Sequence, residues 1–233
     1  MIPSNRSGPD APAGAVPTPR PLLAAYLVVA VVHVVAVAAD LAVLAHLTKP
    51  LLVGLLLGWT LIATHRDPPG LLVAGLLAAL AGDELLEPSG TPWFLAGMAA
   101  FLVMQVCYVA GFVRFGAAAR LRANRWVPVG WGVLWVVLNL VLGPSLGALR
   151  VPILVYSAAL VTMAAMAVAT GDRRIGVGGV AFLVSDLLLG LGVAGLDLPA
   201  SDVLVMTTYA LAQYLIVTGW VLAVRTAAPS VAR

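Results

Sequence analysis

Two aspartates stand inside long apolar segments of this chain. Asp83 follows Gly82 near the end of the run 70–87, and Asp186 lies within the run 175–194 among leucines and valines. A charged side chain in hydrocarbon costs at least about 2.5–3.5 kcal/mol on insertion scales, so such groups usually face a protein interior and serve a function. Two carboxyl groups in one low-dielectric site cannot both ionise freely, so one stays protonated. The pair therefore indicates general acid–base chemistry.

Other polar side chains fall at a similar predicted depth within the apolar segments. Residues from many helices at one depth predict a polar pocket that opens outward or laterally. Lys49 and Arg150 start two of the segments, and a snorkelling role for Lys49 remains open. For Tyr156 and Tyr209 a position at the membrane interface is the alternative. For Asn139 and Gln213 the alternative is hydrogen bonding between helices. The candidate substrate-binding residues are Lys49, Asn139, Arg150, Tyr156, Tyr209 and Gln213.

Other ionisable residues near these positions have simpler interpretations. We interpret Glu84 and Glu87 as the solvated end of a helix and His33 as a structural residue. The three histidines are scattered and lack an H-x-x-x-H spacing, so we expect no metal and no cofactor. Gly143-Pro144-Ser145-Leu146-Gly147 matches G-x-S-x-G, but that nucleophile elbow requires a strand, a turn and a helix. A serine hydrolase is therefore not expected.

The elements that must position these residues are membrane helices. The chain of 233 residues is 62% hydrophobic and 10% charged, with a mean hydropathy of +1.05. Soluble domains carry roughly 25% charged residues, so this chain cannot coat a water-soluble globule. We predict an all-α polytopic membrane protein with eight transmembrane helices. The apolar segments are 22–40, 49–65, 70–87, 92–114, 126–143, 150–170, 175–194 and 202–224.

The distribution of Lys and Arg predicts the orientation of these spans. With a cytoplasmic amino terminus, eleven of the thirteen basic residues fall on the cytoplasmic side, and only Lys49 and Arg150 fall outside. Both termini are then cytoplasmic. Membrane topology thus accounts for the excess of basic residues behind the net charge of +3, so nucleic acid is not an expected partner. The eleven are Arg6, Arg20, Arg66, Arg114, Arg120, Arg122, Arg125, Arg173, Arg174, Arg225 and Arg233.

The domain organisation predicted from these segments is a single transmembrane domain, 22–225, between two tails. Residues 1–21 are rich in Pro, Ala, Gly and Ser and predict a disordered tail, and 226–233 form a short carboxy-terminal tail. The halves, about 22–125 and 126–225, resemble each other. Met98–Phe112 aligns with Met206–Trp220 without gaps, and Gly82-Asp83 aligns with Ser185-Asp186. Four spans per half predict a parallel repeat in which the two aspartates are equivalent.

Several short strings resemble the YhhN-like family of membrane proteins. They are Leu47-Thr48-Lys49-Pro50-Leu51-Leu52, Ala81-Gly82-Asp83-Glu84-Leu85-Leu86, Phe94-Leu95-Ala96-Gly97, Val151-Pro152-Ile153-Leu154-Val155-Tyr156, Phe182-x-x-Ser185-Asp186 and Thr208-Tyr209-x-x-Ala212-Gln213-Tyr214-Leu215-Ile216. They occur in order over nearly all of the chain after residue 40. Glu84 departs from the pattern, since an apolar residue is expected after the Gly-Asp pair, and this extra acid would alter the environment of Asp83.

The family includes lysoplasmalogenases, so the resemblance implies hydrolysis of the vinyl ether bond of a lysoplasmalogen. The products are a fatty aldehyde and glycerophosphocholine or glycerophosphoethanolamine. A vinyl ether is labile to acid, and its cleavage needs a proton donor and an anion that steadies the resulting cation. Asp83 and Asp186 suit these roles, and the sequence does not assign them individually. Lys49 and Arg150 would hold the phosphate, while Asn139, Tyr209 and Gln213 would position water.

The expected partners are a lysophospholipid, water and the lipid bilayer, and the expected location is a bacterial cell membrane. Two other functions remain open on the sequence. A parallel repeat with carboxylates in the membrane is also typical of proton-coupled transporters of small molecules or lipids. A non-catalytic lipid-binding or structural membrane protein is the third possibility. The oligomeric state is not predicted.

Overall fold

A computed structural model describes residues 20–65, 67–196 and 198–227. Most of the predicted tail 1–21 and of the tail 226–233 therefore lies outside the described residues. The described part is all-helical, as predicted. Its α-helices are α1 Arg20–Ala38, α2 Ala42–Ala63, α3 Gly70–Leu85, α4 Thr91–Arg114, α5 Ala117–Ala123, α6 Trp126–Leu142, α7 Arg150–Ala169, α8 Arg173–Val193 and α9 Ser201–Ala227. Two short 3₁₀ turns, Gly143–Ser145 and Gly147–Leu149, join α6 to α7.

The long helices have the length and composition of membrane spans. Among the described residues, seven helical segments are long and apolar enough to cross a bilayer. The third predicted span corresponds to α3, which has 16 residues. At 1.5 Å per residue α3 is about 24 Å long, shorter than the roughly 30 Å hydrocarbon core. The chain is a multi-pass membrane protein. The length of α3 does not by itself make it an eighth span.

The start of the second span differs from the sequence prediction. It was expected near residue 49, but α2 begins at Ala42, so that Lys49 lies two turns inside the helix and Pro50 interrupts its backbone hydrogen bonds. The reason is the tight end of α1. Asp40 adopts a left-handed conformation, with φ 54°, and the N–H of Leu41 donates to the carbonyl of Ala36 at 2.8 Å. Glycine normally marks this kind of helix end, and Asp40 does not give that signal.

The packing separates inner helices from a peripheral one. The closest pairs are α3 with α4 and α8 with α9, and the two halves are joined where α4 packs on α7 and α9 packs on α2. α1 lies against α2 and α9. α6 packs mainly against α7, and none of its described residues is buried. The core is formed by side chains such as Trp59, Leu76, Tyr108, Phe182 and Trp220. α3 itself packs on α4 and α2, and its end meets α9 where Tyr209 contacts Asp83.

Candidate active site

A cavity of about 410 Å³ lies between α1, α2, α3, α4, α8 and α9. Asp83 and Asp186 both line it, so the fold brings together the two aspartates that the sequence singled out. Its mouth lies near the connections α1–α2 and α3–α4 and the start of α9. The lining residues are His33, Val37, Ala42, Ala45, His46, Lys49, Asp83, Leu86, Glu87, Phe101, Ser185, Asp186, Leu189, Asp202, Val205, Met206 and Tyr209.

Asp83 is 3% exposed. A series of hydrogen bonds, each donated in the direction of Asp83, ends at its carboxyl group. The Tyr209 hydroxyl donates to Asp83 Oδ2 at 2.7 Å. Gln213 Nε2 lies 3.5 Å from the Tyr209 oxygen, to which it can donate, and Gln213 Oε1 accepts from the Tyr108 hydroxyl at 2.9 Å. Each donor in this series points toward the carboxyl group. Aligned donors polarise one another, so the series favours an anionic Asp83 or a proton on its other oxygen, Oδ1.

Aromatic packing holds Tyr209 in this position. Its ring meets Phe101 of α4 edge to face, with centroids 6.1 Å apart, and meets Phe182 of α8 at 5.8 Å. Phe101 and Phe182 also contact each other at 6.3 Å. Three rings in such edge-to-face contact restrict each other's rotation. The donor to Asp83 is therefore held in place by residues from two other helices.

Asp186 has a separate tyrosine donor. The Tyr156 hydroxyl of α7 donates to Asp186 Oδ2 at 2.5 Å. The neighbouring Ser185 points to α9, where its hydroxyl donates to the carbonyl of Val205 at 3.0 Å. Asp186 also lines a second, apolar cavity between α4, α6, α7 and α8. It therefore stands at the boundary between a polar and an apolar space.

Lys49 lies at the mouth of the cavity in an ion pair. Its ammonium donates to Glu87 at 2.5 Å, and the other oxygen of Glu87 lies 3.5 Å from His46 Nδ1. Partial burial raises the pKa of Glu87, but the hydrogen bonds and charges of Lys49 and His46 outweigh it and lower that pKa below its ordinary value. Glu87 is exposed just after the end of α3, as expected of a solvated helix end, and it is also the partner of Lys49. Glu84 is exposed.

His33 is a cavity residue that the sequence interpretation treated as structural. It is 2% exposed, and its Nδ1 lies 2.9 Å from the Thr48 hydroxyl. Thr48 donates its own proton to the carbonyl of Leu44 at 2.7 Å, so it accepts from Nδ1–H and fixes the tautomer. Nε2 then carries a lone pair, and it has no hydrogen-bond partner among the described residues. The sequence signal that could have identified His33 as a cavity residue is its position within an apolar segment, which it shares with the other polar residues.

The remaining predicted binding residues lie at different distances from the cavity. Tyr156 and Gln213 lie behind it: Tyr156 is hydrogen-bonded to Asp186, and Gln213 Nε2 lies 3.5 Å from the Tyr209 oxygen. Asn139 lies on α6, where its Nδ2 donates to the carbonyl of Trp135 at 2.8 Å and to Ser157 at 3.2 Å. Arg150 is exposed at the start of α7. Neither Asn139 nor Arg150 lines the cavity.

No metal-binding cluster accompanies the carboxyl groups in the part of the chain that the structure describes. No three His, Cys, Asp or Glu side chains there are arranged to hold an ion. The polar groups of the cavity include the two aspartates with tyrosine donors, the imidazole nitrogen of His33 and the ion pair of Lys49 with Glu87. Such a set can donate a proton, accept a proton and attract an anionic group.

A sequence model of the YhhN family matches residues 44–220. The chain belongs to the YhhN family. Two mycobacterial proteins, each named lysoplasmalogenase, are 32% identical to the chain over 155 residues; they come from Mycobacterium bovis and Mycobacterium tuberculosis. The aligned region covers 64% of this chain and 59% of each relative. No solved structure matches the chain.

Family membership confirms the resemblance drawn from the short sequence strings. The matched range contains both aspartates, Lys49 and Tyr209, and it ends within α9. His33 precedes it. The residues that line the cavity therefore come mostly from the part of the chain that defines the family.

Proposed function

We propose that this protein hydrolyses the vinyl ether bond of a lysoplasmalogen, releasing a fatty aldehyde and a glycerophospho-base. The observation that carries the proposal is the pair Asp83 and Asp186 in one cavity, each hydrogen-bonded by a tyrosine from another helix. Family membership and relatives named lysoplasmalogenase support it. Because these relatives match over only 59% of their length, the activity is inferred from the site as much as from the comparison.

The proposed reaction adds one water across the alkenyl ether. A carboxylic acid protonates the β-carbon of the double bond, which leaves an oxocarbenium ion. Water adds to the α-carbon and loses its proton to a carboxylate, which gives a hemiacetal. The hemiacetal breaks its C–O bond to the glycerol, so that the α-carbon becomes the aldehyde and the glycerol oxygen takes a proton. One acid and one base suffice for every step.

We assign the acid to Asp186 and the cation-stabilising base to Asp83. The β-carbon belongs to the hydrocarbon chain, and Asp186 borders the apolar cavity in which a chain is stable. Asp83 receives the donor series from Tyr108, Gln213 and Tyr209, which favours its anion. Its carboxylate would lie on the polar side of the bond, where water enters.

The lipid head group would occupy the mouth of the cavity. Lys49 would attract the phosphate, and it must then exchange all or part of its contact with Glu87. His33 Nε2 would accept a hydrogen bond from the free glycerol hydroxyl or from the attacking water. These groups lie on the polar side of the two aspartates and leave the apolar side to the chain.

Aldehyde release from a lysoplasmalogen by the purified full-length protein tests the proposal. We expect Asp83→Asn and Asp186→Asn each to lower the rate by about 10²–10⁴, the usual effect of losing a general acid or base. Glu84→Gln is the matched control, because Glu84 is the exposed acid next to Asp83 and should leave the rate near that of the wild type. Unchanged turnover in either Asn variant would remove that residue from the mechanism.

Proton-coupled transport of a small molecule or lipid is the alternative that the same experiment addresses. A transporter would take up its solute into vesicles under a proton gradient and release no aldehyde. A wild-type protein that is folded, binds lysolipid and yields no aldehyde would favour this alternative. We rank it second because it gives no role to the apolar cavity at Asp186.

We further propose the eight-span, four-plus-four arrangement with both termini in the cytoplasm and the cavity opening outward, in a bacterial cell membrane. One pair of close contacts supports the repeat. A side chain at Gly75 would strike Tyr108, and one at Gly178 would strike Ile216. Gly178 is 103 positions after Gly75, the same offset that relates Asp186 to Asp83, and Ile216 follows Tyr108 by the 108 positions of the helix alignment.

A further inference from the structure

The apolar cavity next to Asp186 is lined by hydrocarbon side chains from four helices. Phe94 and Met98 come from α4, Leu138 and Leu142 from α6, Ile153, Tyr156 and Leu160 from α7, and the rest from α8. Its volume is about 90 Å³, and its polar residues are Tyr156 and Asp186. These two are hydrogen-bonded to each other. The carboxyl group thus lies where a polar and an apolar space adjoin.

We propose that this cavity binds the part of the substrate's hydrocarbon chain nearest to the scissile bond, and that the rest of the chain reaches the bilayer between α4 and α6. The inference rests on the proposed function for the identity of the ligand, an alkenyl or alkyl lysophospholipid. A volume of about 90 Å³ holds only a few methylene groups, so the remainder must leave sideways. Leu138 and Leu142 of α6 flank that route.

The loose packing of α6 permits this passage. α6 packs mainly against α7, and none of its described residues is buried. A helix held on one side can move away from α4 at little cost in buried contacts. The apolar cavity is lined mainly by α6, α7 and α8 of the second half, with α4 from the first, whereas α1 to α4 of the first half supply most of the lining of the polar cavity. The halves would thus provide a chain side and a head-group side around the two aspartates.

A groove between α1 and α9 is the competing place for the chain. It has a volume of about 340 Å³ and is lined by residues including Leu27, Val31 and Leu211. It shares no lining residue with the polar cavity. The Tyr26 hydroxyl donates to the carbonyl of Ala210 at 2.6 Å, and the Tyr26 ring stacks on Tyr214. Because Asp186 lines both the polar and the apolar cavity, whereas the groove shares no residue with the polar one, we favour the cavity at Asp186.

The test measures binding of saturated alkyl-ether lysophosphatidylethanolamines of increasing chain length to the full-length protein. These probes lack the vinyl bond, so binding is read without turnover. Each buried methylene should tighten binding about fourfold. We expect Leu138→Trp, which blocks the route between α4 and α6, to weaken binding of the longer chains by more than about tenfold and to leave unchanged a chain short enough to stay within the cavity. Leu138→Ala, which widens it, should keep or extend the preference for long chains.

Two matched variants complete the design. Leu140→Trp places the same ring on the lipid-facing side of α6, where Leu140 is 69% exposed, and should match the wild type. Leu27→Trp narrows the groove between α1 and α9. A chain-length profile altered by Leu27→Trp and unaltered by both Leu138 variants would overturn the proposal. Aldehyde assays run in parallel separate the two claims, since chain-selective binding without aldehyde would refute only the proposed function.

Discussion

At the scale of single residues, the site depends on which polar atoms of each side chain are left to donate or accept a proton. Asp83, Asp186 and His33 each have one polar atom fixed by a neighbour: the carboxyl groups accept from tyrosines, and the imidazole donates to Thr48. The remaining polar atoms are the ones that the proposed mechanism uses, and the imidazole Nε2 among them is buried without a hydrogen-bond partner among the described residues. A buried polar group left without a partner costs about 1–3 kcal/mol, so such atoms are retained where a function uses them.

The His33 tautomer leads to a prediction about Thr48. Thr48→Val removes the hydroxyl that accepts from Nδ1–H and keeps the shape of the side chain. We expect a loss of activity of about tenfold, because an imidazole without its orienting partner samples both tautomers and other rotations. The measurement is the rate of aldehyde release together with the melting temperature.

Thr60→Val is the control for Thr48→Val. Thr60 is a buried threonine of the same helix, and its hydroxyl donates to the carbonyl of Leu56 at 2.8 Å, as that of Thr48 does to Leu44. Both variants should change stability to a similar extent, while Thr60→Val keeps its activity. Equal activity in the two variants would show that the Thr48–His33 contact has no role in the reaction.

At the scale of elements, the early start of α2 places Lys49 over the cavity and within reach of the α3–α4 connection. Lys49 and His46 stand three residues apart on one face of α2, and both approach Glu87. This contact ties the end of α3, which carries Asp83, to α2. The contact is partly exposed, so its contribution to stability is modest and sensitive to salt.

The lowered pKa of Glu87 gives this contact a defined pH dependence. The folded-state pKa lies below the ordinary value of 4.5, so the contact adds stability above about pH 4.5 and loses it as the pH falls through the folded-state pKa. We expect the melting temperature of the wild type to decline more steeply than that of Glu87→Gln as the medium is acidified below pH 4.5. Glu84→Gln should follow the wild-type curve, and a Glu87→Gln curve parallel to the wild type would contradict the ion pair.

The close approach of α8 to α9 predicts a contrast between two glycines. A Cβ at Gly178 would lie 2.8 Å from Ile216 Cγ1 and 3.0 Å from two backbone atoms of α9, whereas a Cβ at Gly54 meets nothing within 4 Å. Gly178→Ala should therefore cost about 1–3 kcal/mol through overpacking. Gly54→Ala should be neutral or stabilising by up to about 1 kcal/mol. Melting temperatures of both variants in detergent test this contrast. A Gly178→Ala variant as stable as the wild type would rule out the close packing of α8 on α9.

At the scale of the whole molecule, both halves contribute residues to the cavity. Lys49 and Asp83 come from the first half, whereas Asp186 and Tyr209 come from the second. The helix contacts that join the halves, α4 with α7 and α9 with α2, hold the two aspartates around one space. Neither half alone can form the site, so the fold requires both to be inserted in a consistent orientation.

The orientation predicted from the basic residues is testable in intact cells. In a Cys107→Ala background, Ser89→Cys marks the α3–α4 connection and Asn124→Cys the segment before α6. We expect an impermeant maleimide to label the first in intact cells and the second only after permeabilisation, because eleven of thirteen basic residues then lie inside. The opposite pattern would invert the orientation, and labelling of both in intact cells would contradict an odd number of spans between them and the proposed topology.

The sequence by itself determined the class of the protein and the identity of the two aspartates. Composition settled the membrane character because the chain has too few charges to coat a soluble globule. Asp83 and Asp186 were recognisable because a carboxyl group is costly among apolar side chains and is seldom kept without a role. Helix ends were predicted within a few residues wherever proline, glycine or a basic residue marked them, and the prediction was wrong at α2, where Asp40 takes the left-handed position.

The tertiary structure alone decided which side chains meet. Tyr209 and Tyr156 were equivalent candidates in the sequence, and packing assigns one to Asp83 and the other to Asp186. Asn139 and Arg150 matched the others in depth but lie outside the cavity, whereas His33 lies inside it. Hydrophobicity reports how deep a residue lies in the membrane. Its direction around the helix depends on how neighbouring helices pack, and in lipid that packing is set by shape and hydrogen bonding, which leave little trace in hydropathy.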